Sequence, residues 1–222
     1  MADKKGILYN EAAKAYFYGD CVSSIEPYGG GHINDTFLAR TEKGNFVLQR
    51  VNGYVFPHPD EIMDNMVHVT KFLAEKLEKA GKDPKRGTLT VLKTNDGKDY
   101  YIDSEGNYWR STINLENTTA YDFADSPEML KKSGAAFGAC QNMLSDYPAE
   151  TLHEVIPHFH DTPARFEQPM QAVRENKAGR FKHVAAELEF AKARETDCGL
   201  LMHLPEEGKL PLKVTHNHPK TS

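Results

Sequence analysis

Between Val22 and Ile113 short apolar runs alternate with clusters of Gly, Asn, Asp and Ser, a pattern that predicts strands joined by tight turns. Val22 to Ile25 and Thr36 to Arg40 flank a glycine run, Phe46 to Val51 follows a Lys43-Gly44-Asn45 turn, and Thr88 to Leu92 precedes Asn95-Asp96-Gly97. Asn and Gly tolerate the positive φ of a hairpin turn, so a strand from about Asp99 through Ile102 is expected next. A Ser104-Glu105-Gly106-Asn107 turn then leads into a strand from Tyr108 to Ile113, for about five or six strands in all. One helix interrupts them. From about Pro59 to Leu77 the residues Ile62, Met66, Val69, Phe72, Leu73 and Leu77 recur at helical spacing, and Asp60 and Glu61 in the first turn complement the helix dipole.

After Asn114 the pattern becomes helical: Pro127 to Leu144, Pro163 to Asn176, and Phe181 to about Leu201, with Pro at or near the start of the first two. Gly208 to Val214 reads as a strand returning to the core. Strands first and helices second predict an α+β fold in two lobes.

Composition narrows the function without naming it. At 39% hydrophobic and 27% charged residues, the 222-residue chain is expected to bury a sizeable core. A formal charge of -5, with no stretch that interleaves basic and aromatic residues, speaks against a nucleic-acid surface and for a small-molecule partner. Met1 to Tyr9 holds no apolar core of a signal peptide, and no run of about 18 apolar residues occurs, so no membrane role and a cytoplasmic location are expected. The three cysteines, Cys21, Cys140 and Cys198, are too scattered for a disulfide framework and are expected reduced and buried.

Candidate chemistry begins at Tyr28-Gly29-Gly30-Gly31-His32-Ile33-Asn34-Asp35-Thr36, where three glycines between two strands either make a flexible hairpin tip or present successive N–H groups to phosphate oxygens. No Gly-Lys-Ser/Thr and no helix follows, so this is not a Walker A loop. The strand Phe46-Val47-Leu48-Gln49-Arg50-Val51 carries a cation where a kinase-type site pairs one with nucleotide phosphates; strand alternation equally allows one of Gln49 and Arg50 to face solvent. His158-Phe159-His160 with Asp161 lacks a third and fourth ligand at zinc-like spacing, as do His216 and His218, so loop polarity is the expected role and no metal site is assigned. Trp109 is expected in the core or a cleft wall. No Ser-His-Asp or Cys-His order supports a hydrolase.

The order of these features resembles the aminoglycoside phosphotransferase/choline kinase-like family, in its N-acetylhexosamine 1-kinase branch. The matching text is Gly30-Gly31-His32-Ile33-Asn34-Asp35-Thr36-Phe37, Val47-Leu48-Gln49-Arg50-Val51-Asn52, Val55-Phe56-Pro57, Tyr108-Trp109-Arg110, Phe137-Gly138, Phe159-His160-Asp161-Thr162 with Arg165, and Leu210 to Asn217. The resemblance implies a protein-kinase-like fold: an antiparallel-sheet N-lobe with one helix over 1–113, a linker over 114–118 and an incomplete helical C-lobe over 119–222. It implies ATP covered by Gly29, Gly30, Gly31, His32, Asn34, Asp35 and Thr36, with Gln49 and Arg50 at the phosphates and Ile113, Asn114 and Leu115 at the adenine. Magnesium would bridge phosphate oxygens while the γ-phosphoryl group passes to a sugar hydroxyl.

Two departures stand out. Asn65 falls where many kinases hold the cation with a glutamate, and His218 falls where the family has its catalytic aspartate. With no magnesium ligands after it, the resemblance implies a chain that stops at the catalytic loop and does not turn over, and no catalytic residue is assigned. A nucleotide-binding pseudokinase, or a kinase of an aminoglycoside, choline or homoserine, are the rival readings.

Overall fold

A computed structural model describes residues 2–17, 19–31, 33–119, 121 and 123–215. The chain forms two compact units, one running to Val155 and taking up the chain again from Val214, the other Ile156–Lys213.

The first unit is built on one antiparallel sheet, and helix α1 (Ala2–Tyr16) precedes it. Strands β1 (Val22–Pro27), β2 (Asp35–Thr41), β3 (Gly44–Arg50), β4 (Tyr101–Ile102) and β5 (Tyr108–Ile113) lie in the order β1-β2-β3-β5-β4. Helix α2 (Pro59–Lys79) and the short α3 (Pro84–Gly87) sit between β3 and β4 in the chain, and α4 (Pro127–Met143) follows β5. The fold class is α+β, with the antiparallel sheet and inserted helix that the sequence pattern predicts.

Register shows which side chains share a face. Phe37, Leu48 and Ser111 are aligned across β2, β3 and β5, as are Asp35, Arg50 and Trp109 two positions along. This face is the one α1 covers: Leu8, Ala12, Ala13, Tyr16 and Phe17 pack with Ala39, Leu48 and Trp109 in one buried cluster. The Tyr16 hydroxyl donates to the Trp109 carbonyl at 2.8 Å, and Tyr101 and Ser104 both donate to the Glu11 carboxylate. Those bonds hold the Glu11 carboxyl below the usual carboxylate range and push the Tyr101 phenol up to about 12. Trp109 is a core residue, as expected.

Ser111 lies in the middle of this interior with its Oγ bonded to nothing among the described residues. A hydroxyl taken out of water without a partner costs free energy, so Ser111→Ala is expected to raise stability by about 1 kcal/mol or less in urea titration.

Several expectations need correction. Helix α1 falls where the sequence pattern assigns no element, although Leu8, Ala12 and Tyr16 recur at fourfold spacing. Thr88 to Leu92 is not a strand. β5 has one edge beyond β3, which β4 occupies at Tyr108 and Trp109, and the 88–92 segment meets the rest of it through a single bridge from Val91 to Thr112. Phe181 to Leu201 is not one helix but a 3-10 turn followed by α6 (Ala185–Lys192), α7 (Glu195–Cys198) and the start of α8 (Leu200–Glu206). Helix α5 (Thr162–Glu175) is intact, with the Asp161 carboxylate capping the Ala164 N–H at 2.9 Å and left-handed Asn176 ending it. Gly208 to Val214 forms no strand, but Val214 packs against Leu73, Leu144 and Tyr147 of the first unit. The cysteines are free, yet Cys21 is exposed and the other two only partly covered. Among the described residues no helix is long and apolar enough to cross a membrane.

Candidate functional site

The β1–β2 connection is the first component. Gly29 has φ +77°, a conformation that costs glycine nothing, and a Cβ at Gly29, Gly30 or Gly31 would meet no atom within 4 Å. Among the described residues the N–H groups of these glycines make no backbone hydrogen bond. They are open to a ligand, while the base of the loop is tied down. Asn34 Oδ1 accepts the Asn52 N–H at 2.9 Å, Asn52 Nδ2 donates to the Ile33 carbonyl at 3.0 Å, and Tyr28 N donates to the Thr36 carbonyl at 2.9 Å. His32, assigned to the same loop, lies outside the described residues.

Arg50 and Gln49 then separate by strand parity. Arg50 lies on the α1 side, at the end of its row, where Nε donates to Asp35 Oδ2 at 2.9 Å, Nη2 also bonds Asp35, and Nη1 reaches Asn107 Oδ1 at 3.3 Å. Its charge is matched by Asp35, so both residues, assigned to the nucleotide, close the root of the loop. Gln49 points to the opposite face, in one row with Thr36 and Arg110. Gln49 Nε2 donates to Thr36 Oγ1 at 2.7 Å, and Gln49 Oε1 accepts from Arg110 Nε at 2.9 Å and Nη2 at 2.6 Å. Arg110 Nη1 contacts Met66 Sδ of α2 at 3.3 Å. Burial pulls the Arg110 guanidinium down from its usual range, against a smaller opposing influence of Tyr16.

Asn65 is therefore not the residue of α2 that meets a sheet cation. Its side chain is engaged on both atoms by the His153 backbone, at 2.9 Å each, and Met66 takes the place facing Arg110.

The segment after β5 is the third component. Ile113 ends β5 opposite Phe46 and its N–H donates to the Thr90 carbonyl; Asn114 N donates to the Asn45 carbonyl; the Leu115 carbonyl accepts from Thr118 Oγ1. Asn45 Nδ2 and Arg86 Nη1 both bond Glu116. This segment thus sits at the Asn45 end of β3 and the glycine loop at the Arg50 end. Five residue steps of strand separate them, about 16 Å, a span on the scale of an extended nucleoside triphosphate.

No protein-family model matches the chain. Among solved structures it is similar to a spectinomycin phosphotransferase, APH(9)-Ia, determined in complex with ADP and spectinomycin, at 11% sequence identity and a TM-score of 0.42. The match covers 86% of this chain and 56% of that one, so the chain spans little more than half the length of that protein. A likeness at that level decides neither family nor activity.

A concavity of about 550 Å³ beside α2 is bounded by Asp60, Glu61, Asp64 and Asp99, whose charge would repel phosphate. His153 Nε2 lies 2.9 Å from Asp64 Oδ2 at its rim. In the second unit His158 Nδ1 lies 2.9 Å from Asp161 Oδ2; the Ala164 N–H first, and this histidine second, hold the Asp161 carboxyl below its ordinary value. His216 and His218 lie outside the described residues. Among the described residues no three or more His, Cys, Asp or Glu side chains gather where they could hold a metal ion.

Arg110 is not among the site residues that the sequence pattern or the resemblance assigns. Its signal is the one that singled out Arg50, a lone cation inside an otherwise uncharged strand.

Proposed function

We propose that this protein binds ATP along β3 and belongs with the ATP-dependent phosphotransferases that act on a small-molecule hydroxyl. The observation that carries the reading is the placement of an open triglycine loop and the post-β5 segment toward opposite ends of β3, whose Asn45-to-Arg50 stretch is about 16 Å long. The strand order with α2 inserted after β3 agrees with the kinase-like N-lobe that the sequence resemblance implies. In this reading the loop N–H groups of Gly29, Gly30 and Gly31 take phosphate oxygens, and the backbone of Ile113, Asn114 and Leu115 borders the adenine. The acceptor favoured by the His32-Ile33-Asn34-Asp35 wording is an N-acetylhexosamine, phosphorylated at its anomeric hydroxyl. Transfer would break the bond from γ-phosphorus to the β,γ-bridging oxygen as the sugar oxygen attacks, with the hydroxyl proton released. The protein's share in such chemistry is positioning and charge stabilisation.

A nucleotide-binding module without turnover is the second reading. It is favoured by His218 where the resembling family has an aspartate.

The test is amide NMR of the full chain titrated with ATP and, separately, with adenosine. ATP is expected to shift the amides of Gly29 to Asp35 and of Ile113 to Thr118, and adenosine only the second group. Shifts confined to the acidic concavity beside α2, or none at millimolar ATP, would overturn the reading. A parallel assay of phosphate transfer to N-acetylglucosamine, N-acetylgalactosamine, an aminoglycoside, choline and homoserine separates the acceptors, and binding without transfer to any of them supports the second reading.

A further inference from the structure

Two arginines project from adjacent central strands, and among the described residues one has a carboxylate partner and the other has none. Arg50 is paired with Asp35. Arg110 is partly buried, and its contacts among the described residues are a neutral amide oxygen and a thioether, with no carboxylate in salt-bridge range. A buried or half-buried cation normally gains a partner, because an uncompensated charge away from water costs several kcal/mol. Here the surroundings hold the charge in place without neutralising it. The Gln49 carbonyl oxygen grips the Nε and Nη2 edge of the guanidinium, Thr36 fixes the Gln49 amide from the next strand, and Met66 stands on α2 where a carboxylate would have closed the pair.

From this arrangement we infer that Arg110 is the phosphate-binding cation of the nucleotide site, on the α2-facing side of the sheet, in place of Arg50. The inference rests on the nucleotide reading above and deepens it. The ligand chemistry is a phosphoryl group of a nucleoside polyphosphate: the guanidinium N–H groups not committed to Gln49 or Met66 have no partner among the described residues, and a guanidinium offers paired donors to phosphate oxygens. Gln49 is a positioning residue that keeps Arg110 oriented and leaves its charge free. Thr36 acts one step further back, through Gln49.

The decisive variant is Gln49→Glu, which keeps the shape of the grip and supplies the missing negative charge. The full chain and its variants would be titrated with ATP, adenosine and inorganic tripolyphosphate, and each would be melted. Gln49→Glu is expected to keep at least the wild-type Tm while ATP affinity falls about tenfold or more, the scale of a charge-assisted hydrogen-bond pair, with adenosine affinity unchanged. Arg110→Gln should lose ATP affinity in the same way, and Arg110→Lys should retain part of it; both are read beside far-UV circular dichroism to confirm folding. Unchanged ATP affinity in folded Gln49→Glu and Arg110→Gln proteins would overturn the role of Arg110 and leave the nucleotide reading standing. Tripolyphosphate binding that depends on Arg110, in a chain that ignores ATP, would overturn the nucleotide reading and keep the anion site. Binding of neither probe would overturn both.

Discussion

Replacing Asp103 by alanine is expected to destabilise the first unit by about 3 kcal/mol, lowering its Tm by roughly 6–12 °C for a chain of this size. Asp103 is 5% exposed and its carboxylate anchors the turn before β5. It accepts the Glu105 and Asn107 N–H groups at 2.9 Å each, the Asn107 side-chain amide at 2.9 and 3.0 Å, and the indole N–H of Trp109 at 2.8 Å. Alanine would remove all of these acceptors and leave the Trp109 N–H, 2% exposed as a residue, with no partner. An orphaned buried donor costs its full desolvation, which is why the loss exceeds that of an ordinary hydrogen bond. Asp103→Asn keeps the shape and one carbonyl acceptor, and should cost about half as much. Trp109 is the sole tryptophan, so its fluorescence during urea titration follows this unit specifically.

The same carboxylate makes the stability sensitive to acid. Burial alone would raise its pKa, but the bonds from Trp109 and Asn107 outweigh burial and the net shift is downward. A folded pKa below the unfolded one means a stabilisation fully present above about pH 4, the ordinary aspartate value, and lost as pH falls through the depressed folded value. The stability gap between wild type and Asp103→Asn should therefore narrow below about pH 4 and stay constant above it. A gap that held its neutral-pH size down to acid unfolding would show that the charge of Asp103 contributes nothing.

Leu48→Ala is expected to cost about 3 to 4 kcal/mol, within the range of fully buried leucine truncations. Leu48 is 0% exposed at the centre of β3, with Phe37 and Ser111 beside it across the strands and the α1 residues Ala12, Ala13 and Tyr16 in the same cluster. Those neighbours belong to two strands and a helix already tied by hydrogen bonds, so they relax little into the space left behind. Leu89→Ala, at a residue 45% exposed, should change stability by less than about 0.5 kcal/mol. A lower urea midpoint for Leu48→Ala with an unchanged denaturant slope is the expected reading. Equal midpoints for the two variants would mean that α1 does not pack on the sheet as described.

Most of what could be read before the structure was local chemistry. Gly97 and Gly106 have φ of +83° and +82°, as the Asn95-Asp96-Gly97 and Ser104 to Asn107 turns require, and the apolar period of α2 set its face to within a residue, with Met63 rather than Ile62 buried. The Pro residues at the starts of α4 and α5 and the strands β1, β2, β3 and β5 are likewise legible, because a turn residue, a cap or an alternation depends only on near neighbours. Helix α1 was missed for the converse reason. Its alanines carry little apolar signal and become core only because Leu48 and Trp109, distant in the chain, lie beneath them. The 88–92 segment meets β5 only through the Val91–Thr112 bridge, a pairing that its own residues do not reveal.

The same division runs through the candidate site. The triglycine loop was legible as an open backbone, since glycine's freedom is intrinsic to the residue. Alternation alone says that Gln49 and Arg50 face opposite ways, but which one meets α1 and which meets α2 depends on the helix that covers each side. The register of β3 with β2 and β5 then decided that Asp35 neutralises Arg50 and that Gln49 and Met66, both uncharged, receive Arg110. Whether a cation is matched or left for a ligand depends on residues tens of positions away, and only the folded sheet brings them within hydrogen-bond reach.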